Sequence, residues 1–227
     1  MLFNPKVLAE LQQTCARYNA CLVAVSKTKP VAAIEAVYQT GQRDFGENYV
    51  QELSEKAGQL PQDIRWHFIG HLQTNKVKQV VPYAHLIHGV DSKRLLSEIN
   101  KEAGKSGKMI HCLLQVFIAN EATKFGLSES ELYSILDQLE AGALPHVQVS
   151  GLMGMATNTD EEQVIRAEFR HLKSVFDECK ARYPKAAGHF TELSMGMTSD
   201  YRIALEEGST MIRIGSAIFG EREYARK

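Results

Sequence analysis

Leu22-Val23-Ala24-Val25-Ser26 runs straight into Lys27-Thr28-Lys29-Pro30, and reads as a buried strand that ends in a loop. Seven more short apolar runs follow, over 44–46, 66–69, 86–89, 109–117, 147–150, 190–193 and 211–214. Amphipathic segments separate them. Ser128 and Glu131 form an S-x-x-E capping box ahead of Leu132, Ile135, Leu136 and Leu139. A long helix is expected from about 160, burying Ile165, Phe169, Leu172, Phe176 and Cys179 and stopping before Pro184. Thr198 or Ser199 is expected to cap a short helix ending at Gly208. Strands that alternate with helices spell a parallel sheet, and at this count the economical closure is a (β/α)8 barrel. An open doubly wound sheet is the alternative that strand counting leaves open.

Before the first strand, Asn4-Pro5 reads as an N-cap with proline at the first helical position, opening an extra helix over about 5–18. Its apolar stripe is Leu8, Leu11, Cys15 and Tyr18. Residues 1–227 are expected to form one domain, with the barrel over about 21–220. No repeat, linker or low-complexity tract interrupts them.

Lys+Arg 26 against Asp+Glu 27 leaves a formal net charge of −1, so no long-range field favours nucleic acid or an anionic membrane. No apolar run approaches the roughly 20 residues needed to span a bilayer, and the start lacks a signal-peptide pattern. Cys15, Cys21, Cys112 and Cys179 are scattered without a CxxC pair, which fits reduced thiols in a cytoplasmic protein. His67 and His71 lie on a strand and its loop, without the helical spacing of a two-histidine metal site, so no metal is expected.

Function in such barrels sits where strands end. The loops after strands 7 and 8 hold Ser194-Met195-Gly196-Met197 and Gly215-Ser216. Small residues let backbone N–H groups approach phosphate oxygens and hydroxyls add donors, although ordinary tight turns use the same residues. Lys27 leaves a buried strand, so its amine either reaches the rim or is desolvated enough to act as a nucleophile. Lys29 shares its parity, but precedes Pro30 and should already lie in the loop. Arg213, inside Met211-Ile212-Arg213-Ile214, needs a partner: an ion pair with a carboxylate such as Glu192, or an anion or ring nitrogen in the mouth.

These residues resemble the pyridoxal phosphate homeostasis protein family, single-domain relatives of the alanine racemase N-terminal barrel (fold type III). The likeness runs from about residue 22 to 221. It is carried by Val25-Ser26-Lys27-Thr28-Lys29-Pro30, Phe45-Gly46-Glu47-Asn48-Tyr49-Val50-Gln51-Glu52 and Trp66-His67-Phe68-Ile69-Gly70-His71-Leu72-Gln73-Thr74-Asn75-Lys76. Gly151-Leu152-Met153-Gly154-Met155, Leu193-Ser194-Met195-Gly196-Met197-Thr198-Ser199-Asp200 and Arg213-Ile214-Gly215-Ser216-Ala217-Ile218-Phe219-Gly220 complete it. The resemblance implies pyridoxal 5′-phosphate (PLP) held on Lys27 as an internal Schiff base. It implies that Ser194, Met195, Gly196 and Met197 hold the phosphate with Gly215 and Ser216, that Arg213 faces the pyridine nitrogen, and that Asn48 neighbours the ring. Lys124, in the loop after strand 5, is a candidate secondary acceptor for departing PLP, set against an ordinary solvated lysine.

The family is associated with intracellular vitamin B6 homeostasis, so cofactor supply without robust turnover is expected, with cofactor-free PLP enzymes as candidate recipients. An arginine opposite the pyridine nitrogen weakens the ring as an electron sink. Racemisation needs an acid or base on each face of the substrate carbon, and a chain ending soon after Ser216 is expected to lack the second domain that supplies it in racemases. A monomer is expected on the same ground. The alternatives are a slow amino-acid racemase or lyase using Lys27, or a phosphate-handling Schiff-base barrel enzyme, which would be colourless when purified.

Overall fold

The computed structural model describes residues 2–119 and 125–221. Helix α1 (Pro5–Arg17) opens the chain with Asn4 as N-cap, its side chain accepting from the Val7 amide at 3.2 Å. Leu8, Leu11 and Cys15 are its buried stripe. Burial of such side chains stabilises by about 1.5–3 kcal/mol each, and it fixes α1 against the outside of the barrel. The Asn4 amide also donates to the Ile218 carbonyl at 2.7 Å.

The repeating unit then runs β1 (Cys21–Val25), α2 (Val31–Tyr38), β2 (Asp44–Glu47), α3 (Val50–Ala57), β3 (Arg65–Phe68), a 3-10 turn (Thr74–Lys76) with α4 (Val77–Val80), and β4 (Ala84–Val90). It continues with α5 (Lys93–Lys105), β5 (Ile110–Gln115), α6 (Glu129–Glu140), β6 (Val147–Met153), α7 (Glu162–Arg182), β7 (Glu192–Ser194), α8 (Tyr201–Glu206), β8 (Met211–Ile214) and α9 (Ser216–Phe219). All neighbouring strands pair parallel in chain order, and β8 returns to β1, closing the barrel. The open sheet is thereby set aside.

Two apolar layers hold the barrel. The larger lies between strands and helices and includes Phe45, Phe68, Phe169 and Phe190. The inner one is small, formed by Val23, Leu86, Leu113, Met153 and Met211. The remaining interior is polar, with Asp44, His67, His88, Ser194 and Arg213 all buried.

The capping box at Ser128 and Glu131 is present, and the last strand has the expected bounds. Three expectations are corrected. Strand β6 runs three residues past Ser150, because Gly151 continues the strand. A Cβ there would lie 1.8 Å from the Glu192 carbonyl oxygen, so only glycine lets β6 pass β7 so closely. The N-cap of α8 is Asp200 instead of Thr198 or Ser199, and its carboxylate turns back to accept from the Met197 amide at 2.6 Å. Glu192 does not pair with Arg213, because it starts β7 at the opposite end of the barrel and accepts from the Thr191 and Thr210 hydroxyls. Among the described residues the four cysteines are free, no cluster fit for a metal occurs, and no helix is long and apolar enough to cross a membrane.

Candidate functional site

The turn after β1 is built before the cavity is. Ser26 is fully buried; its hydroxyl donates to Glu47 Oε1 at 2.6 Å and its carbonyl accepts from Lys56 Nζ at 2.9 Å. Thr28 adopts a left-handed φ of 63°, an uncommon conformation for a β-branched residue. Its amide donates to Glu52 Oε2 at 2.7 Å, which offsets the strain. Lys56 joins the two carboxylates, donating to Glu47 at 2.8 Å and to Glu52 at 2.6 Å. Both flanks of Lys27 are therefore clamped by α3 and the end of β2, which limits the directions its side chain can take.

Of the two carboxylates that share Lys56, Glu47 is fully buried and Glu52 partly exposed. Burial pushes the Glu47 carboxyl up to about 7, even though Lys56 pulls it down. Its second oxygen, Oε2, is buried without a hydrogen-bond partner among the described residues.

A cavity of about 270 Å³ opens at the C-terminal ends of the strands. Lys27, Asn48, Arg213 and Ser216 line it with Val25 and Ile69 as apolar wall, and Lys29, Met197, Thr198, Gly215 and Gly220 are at its edge. The sequence-derived candidates Lys27, Asn48, Met197, Arg213, Gly215 and Ser216 thus meet around one space. Ser194, Met195 and Gly196 do not line it. Met195 is buried in the outer core, and Ser194 lies behind Arg213. Gly196, with φ of 96°, presses against α8, where a Cβ would come within 2.6 Å of Ala204 Cβ. Lys124 lies outside the described residues.

Arg213 is 5% exposed. Its Nη1 donates to Ser194 Oγ at 2.6 Å and its Nη2 to the Gly154 carbonyl at 3.4 Å. Burial pulls its pKa down to about 10, partly countered by the Asp200 carboxylate, so it is still a guanidinium at neutral pH. Thr198 and Ser216 bring their hydroxyl oxygens to 3.4 Å at the rim, and Ser216 begins α9. Asn48 Oδ1 is buried with no hydrogen-bond partner among the described residues.

This donor set fits a phosphorylated aldehyde with a ring nitrogen: an amine to condense, a guanidinium that only donates, rim hydroxyls for an anion, and an amide with spare hydrogen-bonding capacity. The sequence reading missed Glu47, Glu52 and Lys56. The i,i+4 spacing of Glu52 and Lys56 on α3 was visible as a helical ion pair, but not its reach to the backbone on either side of Lys27.

A closed parallel barrel with a lysine at the end of its first strand and small and hydroxyl residues after its last two strands is the alanine racemase type, and the family model "Alanine racemase, N-terminal domain" matches residues 7–223. A protein named pyridoxal phosphate homeostasis protein from Aquifex aeolicus is 40% identical, over 96% of this chain and 96% of that one. The Homo sapiens protein of the same name is 40% identical over 91% of this chain and 78% of its own length. PipY of Synechococcus elongatus, solved with PLP bound, superposes with a TM-score of 0.86 at 37% identity, covering 95% of this chain and 99% of PipY. The chain belongs to the pyridoxal phosphate homeostasis protein family.

Proposed function

We propose that the chain binds PLP in the barrel mouth through the Lys27 amine, and holds and hands on the cofactor without turning over amino acids. The observation that carries this is the single cavity shared by Lys27, Arg213 and Ser216. The names of the relatives support it, as does PLP bound in PipY. When bound, PLP supplies an aldehyde that condenses with amines and a ring that withdraws electrons.

Lys27 presents the amine from a turn fixed at Ser26 and Thr28. Thr198, Ser216 and the first residues of α9 take the phosphate, and Asn48 offers its side-chain amide to the ring's polar substituents. Arg213 faces the ring nitrogen. As a guanidinium it has no proton acceptor, so it keeps that nitrogen unprotonated and weakens electron withdrawal.

Moving a proton on both faces of a substrate carbon needs a second acid or base. Among the described residues lining the cavity, the further amine is Lys29, and its Nζ donates to the Glu221 carbonyl at 2.8 Å. That arrangement favours holding over turnover. Cofactor-free PLP enzymes are the proposed recipients.

The test is the visible spectrum of the purified protein before and after borohydride reduction, with the adduct mapped by mass. A yellow protein whose adduct maps to Lys27, is lost in Lys27→Ala and persists in Lys29→Ala supports the reading. An adduct on Lys29, a colourless protein, or rapid interconversion of L- and D-amino acids overturns it.

A further inference from the structure

The barrel interior carries a chain of polar side chains from one end to the other. At the N-terminal end, Arg65 donates through Nε to Asp44 Oδ1 at 2.7 Å and through Nη2 to Oδ2. This pair borders a second cavity of about 530 Å³, lined also by His85, His111 and His189. From Asp44 the contacts run inward: His67 Nε2 to Asp44 Oδ1 at 3.0 Å, His67 Nδ1 to His88 Nε2 at 2.9 Å, and His88 Nδ1 to Ser194 Oγ at 3.0 Å. The last link is Arg213 Nη1 to Ser194 Oγ at 2.6 Å. His67, His88 and Ser194 are all at most 1% exposed.

The two ends constrain the protons between them. An ionised carboxylate only accepts and a guanidinium only donates. Although burial would raise the Asp44 carboxyl, hydrogen bonds from His67 and Arg65 hold it well below the usual range, so it is ionised. His67 then donates from Nε2, and with a single proton on that ring its Nδ1 accepts from His88 Nε2–H. Burial, with the Arg213 guanidinium nearby, holds His88 far below the ordinary histidine value, so it is neutral. Its bare Nδ1 then accepts a hydrogen bond from the Ser194 hydroxyl. That leaves the Ser194 lone pairs for Arg213. In this arrangement each link is satisfied, and bonds in such a low-dielectric series polarise one another.

We propose that Asp44, His67, His88 and Ser194 form a one-directional relay that positions the Arg213 guanidinium, so that the Asp44–Arg65 pair at the far end of the barrel governs the group that meets the ligand. The link to a ligand rests on PLP occupying the mouth, whereas the proton positions do not. Replacing Asp44 with asparagine keeps the shape but removes the charge. The new amide can accept from His67 only by turning its NH2 toward Arg65, so the force fixing the tautomers is lost.

The experiment has two arms. In the first, 15N-histidine NMR of the full chain without added ligand at neutral pH reads the tautomers. Both His67 and His88 are expected as neutral Nε2–H forms; a proton on Nδ1 of either ring overturns the relay, whether or not PLP binds. In the second, Asp44→Asn is compared with wild type for PLP affinity and for the 15N shift of the bound pyridine nitrogen. One weakened internal hydrogen bond corresponds to a roughly two- to tenfold loss of affinity, accompanied by a displaced ring-nitrogen signal. A folded variant with unchanged affinity and unchanged ring signal overturns the coupling. Should Asp44→Asn fail to fold, His67→Gln serves in its place. Should wild type fail to bind PLP, the functional reading falls, and the Arg213 guanidinium signal, expected to shift in the variant, decides the coupling instead.

Discussion

Replacing Glu47 with glutamine should remove a pH-dependent loss of stability that the fold builds in beneath Lys27. The Glu47 carboxyl is pushed by burial from an ordinary value of 4.5 up to about 7. Between those values the unfolded chain has released the proton while the folded chain retains it, so stability falls as pH rises and levels off above about 7. At about 1.36 kcal/mol for each tenfold change in proton affinity, the loss approaches about 3 kcal/mol. Glutamine cannot ionise, yet its amide oxygen can still accept from Ser26 and Lys56. Urea unfolding of both proteins at pH 5, 6, 7 and 8 tests this, read as the difference between them. The difference matters because His88, neutral in the fold, contributes in the opposite sense, with stability lost as pH falls below its unfolded value of 6.5. That contribution is common to both proteins and cancels. The variant is expected to gain on wild type steadily from pH 5 to 7. A constant difference across that range would refute the assignment of the titration to Glu47.

The remaining predictions concern the mouth and the scaffold. Ser216→Ala removes a hydroxyl from the phosphate rim; a bond to a charged group contributes roughly 1.5–3 kcal/mol, so PLP should dissociate about tenfold more readily, measured by dialysis. Pyridoxal without the phosphate should bind far less well than PLP, and equal retention would remove the phosphate from the account. Gly196→Ala combines a left-handed φ with a 2.6 Å approach to Ala204 and should cost about 2–4 kcal/mol, seen as a lowered Tm. Ser128→Ala breaks the capping box of α6 and should cost about 1 kcal/mol in urea unfolding without altering PLP binding.

Periodicity and caps located the strands and several of the helices, with the ends of β5, β6 and β7 displaced. The Asn4-Pro5 start, the box at Ser128 and Glu131 and the bounds of β8 are local matters, decided by residues within a turn of one another. The order of strands and helices implied a parallel barrel, the known rule for such barrels pointed to Lys27 and Ser216, a charge inside the last strand singled out Arg213, and the family resemblance added Asn48; all four line one cavity. Where the reading went astray, a distant neighbour was the cause. The sixth run read as ending at Ser150, but the strand goes on through Gly151, where the Glu192 carbonyl 1.8 Å from a would-be Cβ is why glycine is required. An ion pair of Arg213 with a carboxylate such as Glu192 was one of two partners the sequence allowed, but strand direction puts them at opposite ends of the barrel. The clamp on Lys27 by Glu47, Glu52 and Lys56, and the line from Asp44 through two histidines to Ser194, join residues from separate strands and helices. Sequence determines which side chains a strand points inward. Closure of the barrel alone decides which of those, from strands far apart in the chain, come within hydrogen-bond reach, and burial then sets their charge.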